Sequence, residues 1–150
     1  HRMVRDVDVL FMDEGETRSF ADEVNLVSAA KRILSLGPTT LIVKRGEHGV
    51  LLFNGDSIFA VPSFPLGKVL DPTGAGDSFA GGFMGYLAAS GDLSDAGFRK
   101  AVVFGSVMGS FAVEDFSIRR LTLLNAEDIY ERFHAFTNLT YFEPLSEGEI

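Results

Sequence analysis

The sequence predicts an α/β fold in which helices cover a sheet. Three observations carry that expectation. Short apolar runs of strand length alternate with a helical pattern in the first third of the chain. The second half carries three longer runs with helical spacing. Between them lies a glycine-rich turn, Asp71-Pro72-Thr73-Gly74-Ala75-Gly76-Asp77-Ser78-Phe79-Ala80-Gly81-Gly82-Phe83. Strand–helix–strand order followed by helices is the pattern of a sheet with helical layers.

In chain order, Val7 to Met12 is apolar and bounded by charge, the pattern of a buried strand. Asp13-Glu14-Gly15-Glu16-Thr17 then reads as an acidic strand-to-helix corner. Asp22 or Asn25 caps a helix to about Leu36, with Leu26, Ala29, Ala30, Ile33 and Leu34 on one face. Gly37-Pro38 stops it. Thr39 to Lys44 is rich in β-branched residues and predicts a strand. Arg45-Gly46-Glu47-His48-Gly49 turns into a second strand, Val50 to Phe53. Asn54-Gly55 reads as a hairpin leading to Ser57–Val61, with a loop from Pro62 to Pro65. Ser78 to Ala89 is helical in pattern, and Gly81, Gly82 and Gly85 within it suggest close packing against a neighbour. Ser94 caps a helix from Asp95 to about Phe111, which Asp115-Phe116-Ser117 breaks. Asn125 starts a last helix with Ile129, Phe133 and Phe136 on its core stripe. No repeat or linker divides the chain, so one unit is expected over residues 1–150.

Bulk properties narrow the function. The chain has 150 residues, 46% of them hydrophobic, with mean hydropathy +0.18, which excludes general disorder. A net charge of −8 argues against a nucleic-acid binder, because such proteins displace counterions with basic faces. No apolar run approaches the ~18 residues that span a bilayer, so no membrane partner is expected. The absence of cysteine rules out a disulfide framework and thiolate metal sites, and fits the cytoplasm.

The glycine-rich turn carries the chemistry. Glycines let backbone approach a ligand, and the first N–H groups of a helix lack intrahelical partners at the positive end of its dipole. The result is an anion pocket with Asp77 beside it. A dinucleotide fingerprint fails because Phe79 stands at the third glycine position. A P-loop fails because no Gly-Lys-Ser/Thr follows. A plain structural turn, with Asp77 only complementing the helix dipole, stays open on the turn alone. As a general base, Asp77 would take the proton of an attacking hydroxyl, while the amides of Gly74, Ala75 and Gly76 neutralise charge on a moving phosphoryl group. Asp13, Glu14 and Glu16 could position Mg²⁺ through water, or could simply favour a helix first turn. Lys44, Gly46 and Gly49 could touch phosphates or form an ordinary turn. His48 and His134 have no ligand-spaced partners and read as non-catalytic.

Taken in order, these three elements resemble the PfkB family of ribokinase-like carbohydrate kinases. Asp71 to Phe79 looks like that family's C-terminal signature; Lys44 to Gly49 is similar to its phosphate-side turn, and Asp13 to Glu16 to its Asn-x-x-Glu element. The resemblance implies the C-terminal portion of a ribokinase-like α/β/α sandwich, without the N-terminal substrate and lid half, whose loss should leave an apolar face or edge uncovered. It implies Asp77 as catalytic base, Gly74, Ala75 and Gly76 as anion hole, and Lys44, Gly46 and Gly49 near the nucleotide. It further implies Glu16 as an indirect Mg²⁺ residue, and Asp71 and Thr73 beside a monovalent cation such as K⁺, with further contacts from Ala112 to Ser117. ATP and Mg²⁺ are the implied cofactors, a sugar or nucleoside hydroxyl the acceptor, and a second copy or the missing half the partner. A non-catalytic nucleotide-binding scaffold is the alternative on the same fold. The sequence departs from the family at Asp13, where Asn is usual, at Pro72, where Thr is common, and at Glu114-Asp115-Phe116-Ser117, where a glycine-containing loop is usual.

Overall fold

A computed structural model describes residues 3–148. Its sheet contains β1 (Val9–Asp13), β2 (Thr40–Lys44), β3 (Val50–Asn54) and β4 (Ser57–Val61), side by side in that order. β1 and β2 run parallel, with Val9 opposite Thr40 and Asp13 opposite Lys44. β2–β3 and β3–β4 are antiparallel. The parallel pair requires a crossover, which α1 (Glu14–Ala21) and α2 (Leu26–Leu34) supply. After β4 come α3 (Ala75–Ser90), α4 (Asp95–Ala112), α5 (Arg119–Thr122) and α6 (Ala126–Thr140).

Alternation along β2 sorts the core into two layers. Leu41 and Val43 face α1 and α2, joining Ala29, Ala30 and Ile33. Ile42 faces the other way and joins Leu52, Phe79, Phe83, Val102 and Phe111. Both faces of the strand are therefore covered, which is why it reads as an unbroken apolar run. Phe83 is fully buried and meets the Phe11 ring edge-on at 5.3 Å. The Ile129, Phe133 and Phe136 stripe packs on this same layer. β1 sits at one edge of the sheet with β2 as its one partner strand, and four of its five residues are only half-buried.

Several local expectations are corrected. Residues 13–17 do form a strand-to-helix corner, but the helix that begins there, α1, runs on to Ala21. Asp13 caps α1: the Glu16 N–H donates to Asp13 Oδ1 at 2.6 Å, and the Asp13 N–H donates back to Glu16 Oε2 at 2.9 Å. Asp22 does not start a helix; it ends α1 in the left-handed region at φ 52°. Asn25 is the cap of α2, its Oδ1 accepting from the Ser28 N–H at 3.0 Å, and α2 stops at Leu34. The glycine-rich helix begins at Ala75, three residues earlier than its apolar pattern indicates. Of Gly81, Gly82 and Gly85, Gly82 alone is packed tightly: a Cβ there would come within 2.7 Å of Met108. Gly81 and Gly85 face open space. Short α5 carries no sequence signal that separates it from the preceding loop.

The crossover also holds an electrostatic feature. Arg18 and Arg45 both donate to Glu14, Arg45 at 2.8 Å, and together hold its carboxyl at about 2, the Arg18 hydrogen bond contributing most. A depressed value stabilises the fold fully above the group's ordinary value of 4.5 and loses that contribution as pH falls towards 2. Denaturation of Glu14→Gln should therefore show a shallower loss of stability between those two pH values than the parent. Parallel acid limbs would remove this ion pair from the account.

Candidate active site

The C-terminal ends of β1 and β2, the start of β3 and the first turn of α3 converge on one cavity of about 730 Å³, a size suited to a small-molecule ligand. Asp13, Lys44, Gly46 and Gly49 line it from the sheet side, and Ala75, Gly76 and Phe79 from α3. Pro62 to Leu66 and Val69 close it from the loop after β4, and Ser110 and Val113 from the end of α4.

The glycine turn leaves backbone amides at the start of α3 without acceptors among the described residues. Gly74 holds φ +80°, so the chain enters α3 through a left-handed residue with open space around it. The Ser78 N–H donates to the Gly74 carbonyl at 2.9 Å and starts the helical ladder. The Ala75 N–H already donates to the Pro72 carbonyl at 3.3 Å, whereas the amides of Gly74 and Gly76 have no acceptor within the described residues. Lys44 completes the arrangement. Its Nζ lies 2.9 Å from where a Cβ on Gly76 would be, so glycine is what leaves room for the ammonium beside the turn. Lys44 makes no ion pair among the described residues. An unpaired cation next to free helix-terminal amides is a site for a phosphate-sized anion.

The other candidate residues fall into three groups. Asp77 follows Gly76 by one residue, which turns its side chain about 100° further around the helix. It is exposed, its side chain forms no hydrogen bond or ion pair among the described residues, and it does not line the cavity. The turn therefore presents Ala75 and Gly76 to the cavity, with Asp77 outside its lining. Asp13 reaches the cavity wall, while Glu16 is held back in the capping box and does not. Asp71 accepts from the Thr73 N–H at 2.9 Å; this bond, and a lesser one from the Ser117 backbone, push its carboxyl below the usual range. The Leu70 N–H donates to the Val113 carbonyl at 2.8 Å, so residues 70–73 lie against the 113–117 segment. Ser117 takes φ 57° there, the left-handed conformation for which glycine is the usual residue. No group of three or more acidic or histidine side chains is placed to hold a metal among the described residues. His48 faces Glu47 at the surface and His134 stacks edge-on against Tyr130, in keeping with non-catalytic roles.

Sequence reasoning missed the loop wall. Phe64 and Leu66 lie in an irregular segment with no period to read, and only the folded chain brings them to the cavity. It also missed Gly49's function as a packing glycine. At φ 86° a Cβ there would run into the Val61 carbonyl oxygen and lie 2.7 Å from Pro62.

Comparison with known proteins follows the same outline. The family description "pfkB family carbohydrate kinase" matches residues 1–122. A cytidine kinase of Thermococcus kodakarensis is 36% identical over 84 residues, covering 55% of this chain and 30% of that protein. A nucleoside kinase of Methanothermobacter thermautotrophicus is 29% identical over 143 residues, covering 95% of this chain and 42% of its own length. Fructokinase of Vibrio cholerae, solved with fructose, ADP and a calcium ion, superposes with TM-score 0.78 at 25% identity, over 88% of this chain and 42% of that one. The chain thus spans less than half the length of each. No helix among the described residues is long and apolar enough to cross a membrane.

Proposed function

The chain belongs to the pfkB family of carbohydrate kinases, and on that basis we propose that it is the nucleotide-binding part of an enzyme that moves the γ-phosphoryl group of ATP to a hydroxyl of a sugar or nucleoside. The observation that carries this reading is the unpaired Lys44 ammonium against the free amides of the Gly74–Gly76 turn, in the wall of a ligand-sized cavity.

In-line transfer needs the leaving and attacking oxygens on opposite sides of the phosphorus. A turn that lines the cavity while Asp77 stays outside the lining supports that arrangement. ADP, as leaving group, occupies the cavity, and the acceptor hydroxyl approaches from the side of Asp77. As the hydroxyl oxygen bonds to phosphorus and the bond to the β-phosphate oxygen breaks, the hydroxyl proton passes to the Asp77 carboxylate. Lys44 and the amides of Gly74 and Gly76 meet the charge on the transferring oxygens. The Ala75 amide contributes least, because it is already shared with Pro72. Mg²⁺, when bound, neutralises phosphate charge. Of the two acidic residues in the wall, Asp13 and Glu47, Asp13 at the end of β1 would be its protein contact, Glu16 acting through Asp13 and water. A monovalent cation such as K⁺ would belong to Asp71 and Thr73 with the carbonyls of the 113–117 segment. The open β1 edge is where the substrate-side half, or a second copy, would complete the sheet.

Lys44→Met is the direct test. Losing one charge-assisted phosphate contact should weaken ADP binding about 10- to 100-fold by calorimetry. Unchanged affinity would separate the cavity from nucleotide binding.

A further inference from the structure

The cavity's loop wall is tied down by two neighbouring side chains, one at its rim and one facing inward. Residues 62–69 contain no regular structure and donate no backbone hydrogen bond. Ser63 ties the loop to the Glu47 carbonyl at its exposed rim. Phe64 is the inward anchor, 5.2 Å from the Phe136 ring and under the guanidinium of Arg132 at 4.7 Å. Arg132 is itself clamped. It lies 3.8 Å over the Phe111 ring, donates to Glu114 Oε1 at 2.6 Å and to Ser110 Oγ at 3.2 Å, and is only 16% exposed. Phe64 and Ser110, two of its partners, line the cavity. Arg132 does not.

We infer that Arg132 is a positioning residue that shapes the cavity's apolar wall for the base of the bound nucleotide. This rests on the nucleotide reading above. The cavity is chemically divided. Lys44 and the turn amides form its cationic part, while Pro65, Leu66, Val69 and Val113 offer a flat, uncharged surface that suits a heteroaromatic ring. A planar guanidinium between two aromatic faces fixes Phe64 in one orientation and with it the loop. α6 thereby reaches the ligand without touching it. Glu114 keeps Arg120 at 3.0 Å when Arg132 is removed, so the substitution does not strand a lone carboxylate.

A residue that shapes the base wall changes discrimination among bases, whereas a phosphate contact weakens all nucleotides alike. The test is calorimetric titration of the full-length protein with ADP, GDP and CDP, which share one diphosphate. The parent should prefer one base. Arg132→Met should weaken the preferred nucleotide about tenfold and the others less, compressing the spread. Arg132→Lys, which keeps the charge but not the plane, should fall between. Phe64→Leu should compress the spread as Arg132→Met does and serves if that variant fails to fold. Lys44→Met should lower all three equally. A parent that binds all three alike, or an unchanged spread in both Arg132→Met and Phe64→Leu, overturns the inference while leaving nucleotide binding intact. Failure of every nucleotide to bind the parent overturns the underlying reading instead.

Discussion

Asp77→Asn in the full-length enzyme is expected to lower turnover by about 10² to 10⁴, the usual contribution of a positioned general base. The substitution keeps size and shape and removes only the ability to accept the proton. Asp77 is exposed and its side chain makes no hydrogen bond or ion pair among the described residues, so no such contact is lost with it. What the helix loses is the favourable position of an acid in its first turn, about 0.3–1 kcal/mol. Thermal stability should hence shift little, and the affinity for ATP should stay near that of the parent, because Asp77 does not line the cavity. The loss belongs in kcat. Steady-state kinetics on a sugar or nucleoside panel, with denaturation as control, decides it. Full turnover in a properly folded variant would remove Asp77 from the chemistry.

Gly49→Ala carries the second large effect, on folding. Gly49 combines φ 86° with ψ −143°, a region essentially closed to residues with a side chain. The added methyl would meet the Val61 carbonyl and the Pro62 backbone, neither of which can rotate away as a side-chain end could. Strain and overpacking each cost roughly 1–3 kcal/mol, so a total of about 3 kcal/mol or more is expected. That is a large share of a domain's stability. Gly55→Ala is the matched control, since it also has positive φ but faces open space. Chemical denaturation should rank Gly49→Ala well below Gly55→Ala. Equal losses would mean that the tight fit at Val61 and Pro62 relaxes freely.

Legibility in the sequence differed by element for physical reasons. The strands were readable because β2 is buried on both faces and so is unbroken in apolar residues. The caps at Asn25, Ser94 and Asn125 were readable because a side-chain oxygen before a helical pattern has few other uses. Helix α1 was not, because a residue such as Asp13 looks the same in sequence whether it caps a helix or holds a metal. The hydrogen bonds between Asp13 and Glu16 are visible only in space. Gly81 and Gly85 misled because a glycine gives no sign of what its missing side chain faces.

By itself the sequence determined the alternation of strands and helices, the glycine-rich turn at the start of α3, and the nearness of an acid to an anion receptor. These are local properties, set by dihedral freedom, hydrophobic period and the orphan amides of a helix terminus. Only the tertiary structure decided that Lys44, 32 residues before Gly76 in the chain, stands against that turn, and that Asp77 is exposed and does not line the cavity. It also decided that an arginine in the last helix holds the loop forming the cavity's wall. Such pairings depend on how layers stack over the sheet, and the energy that selects the stacking comes from burial of the whole core, which no short stretch of residues encodes.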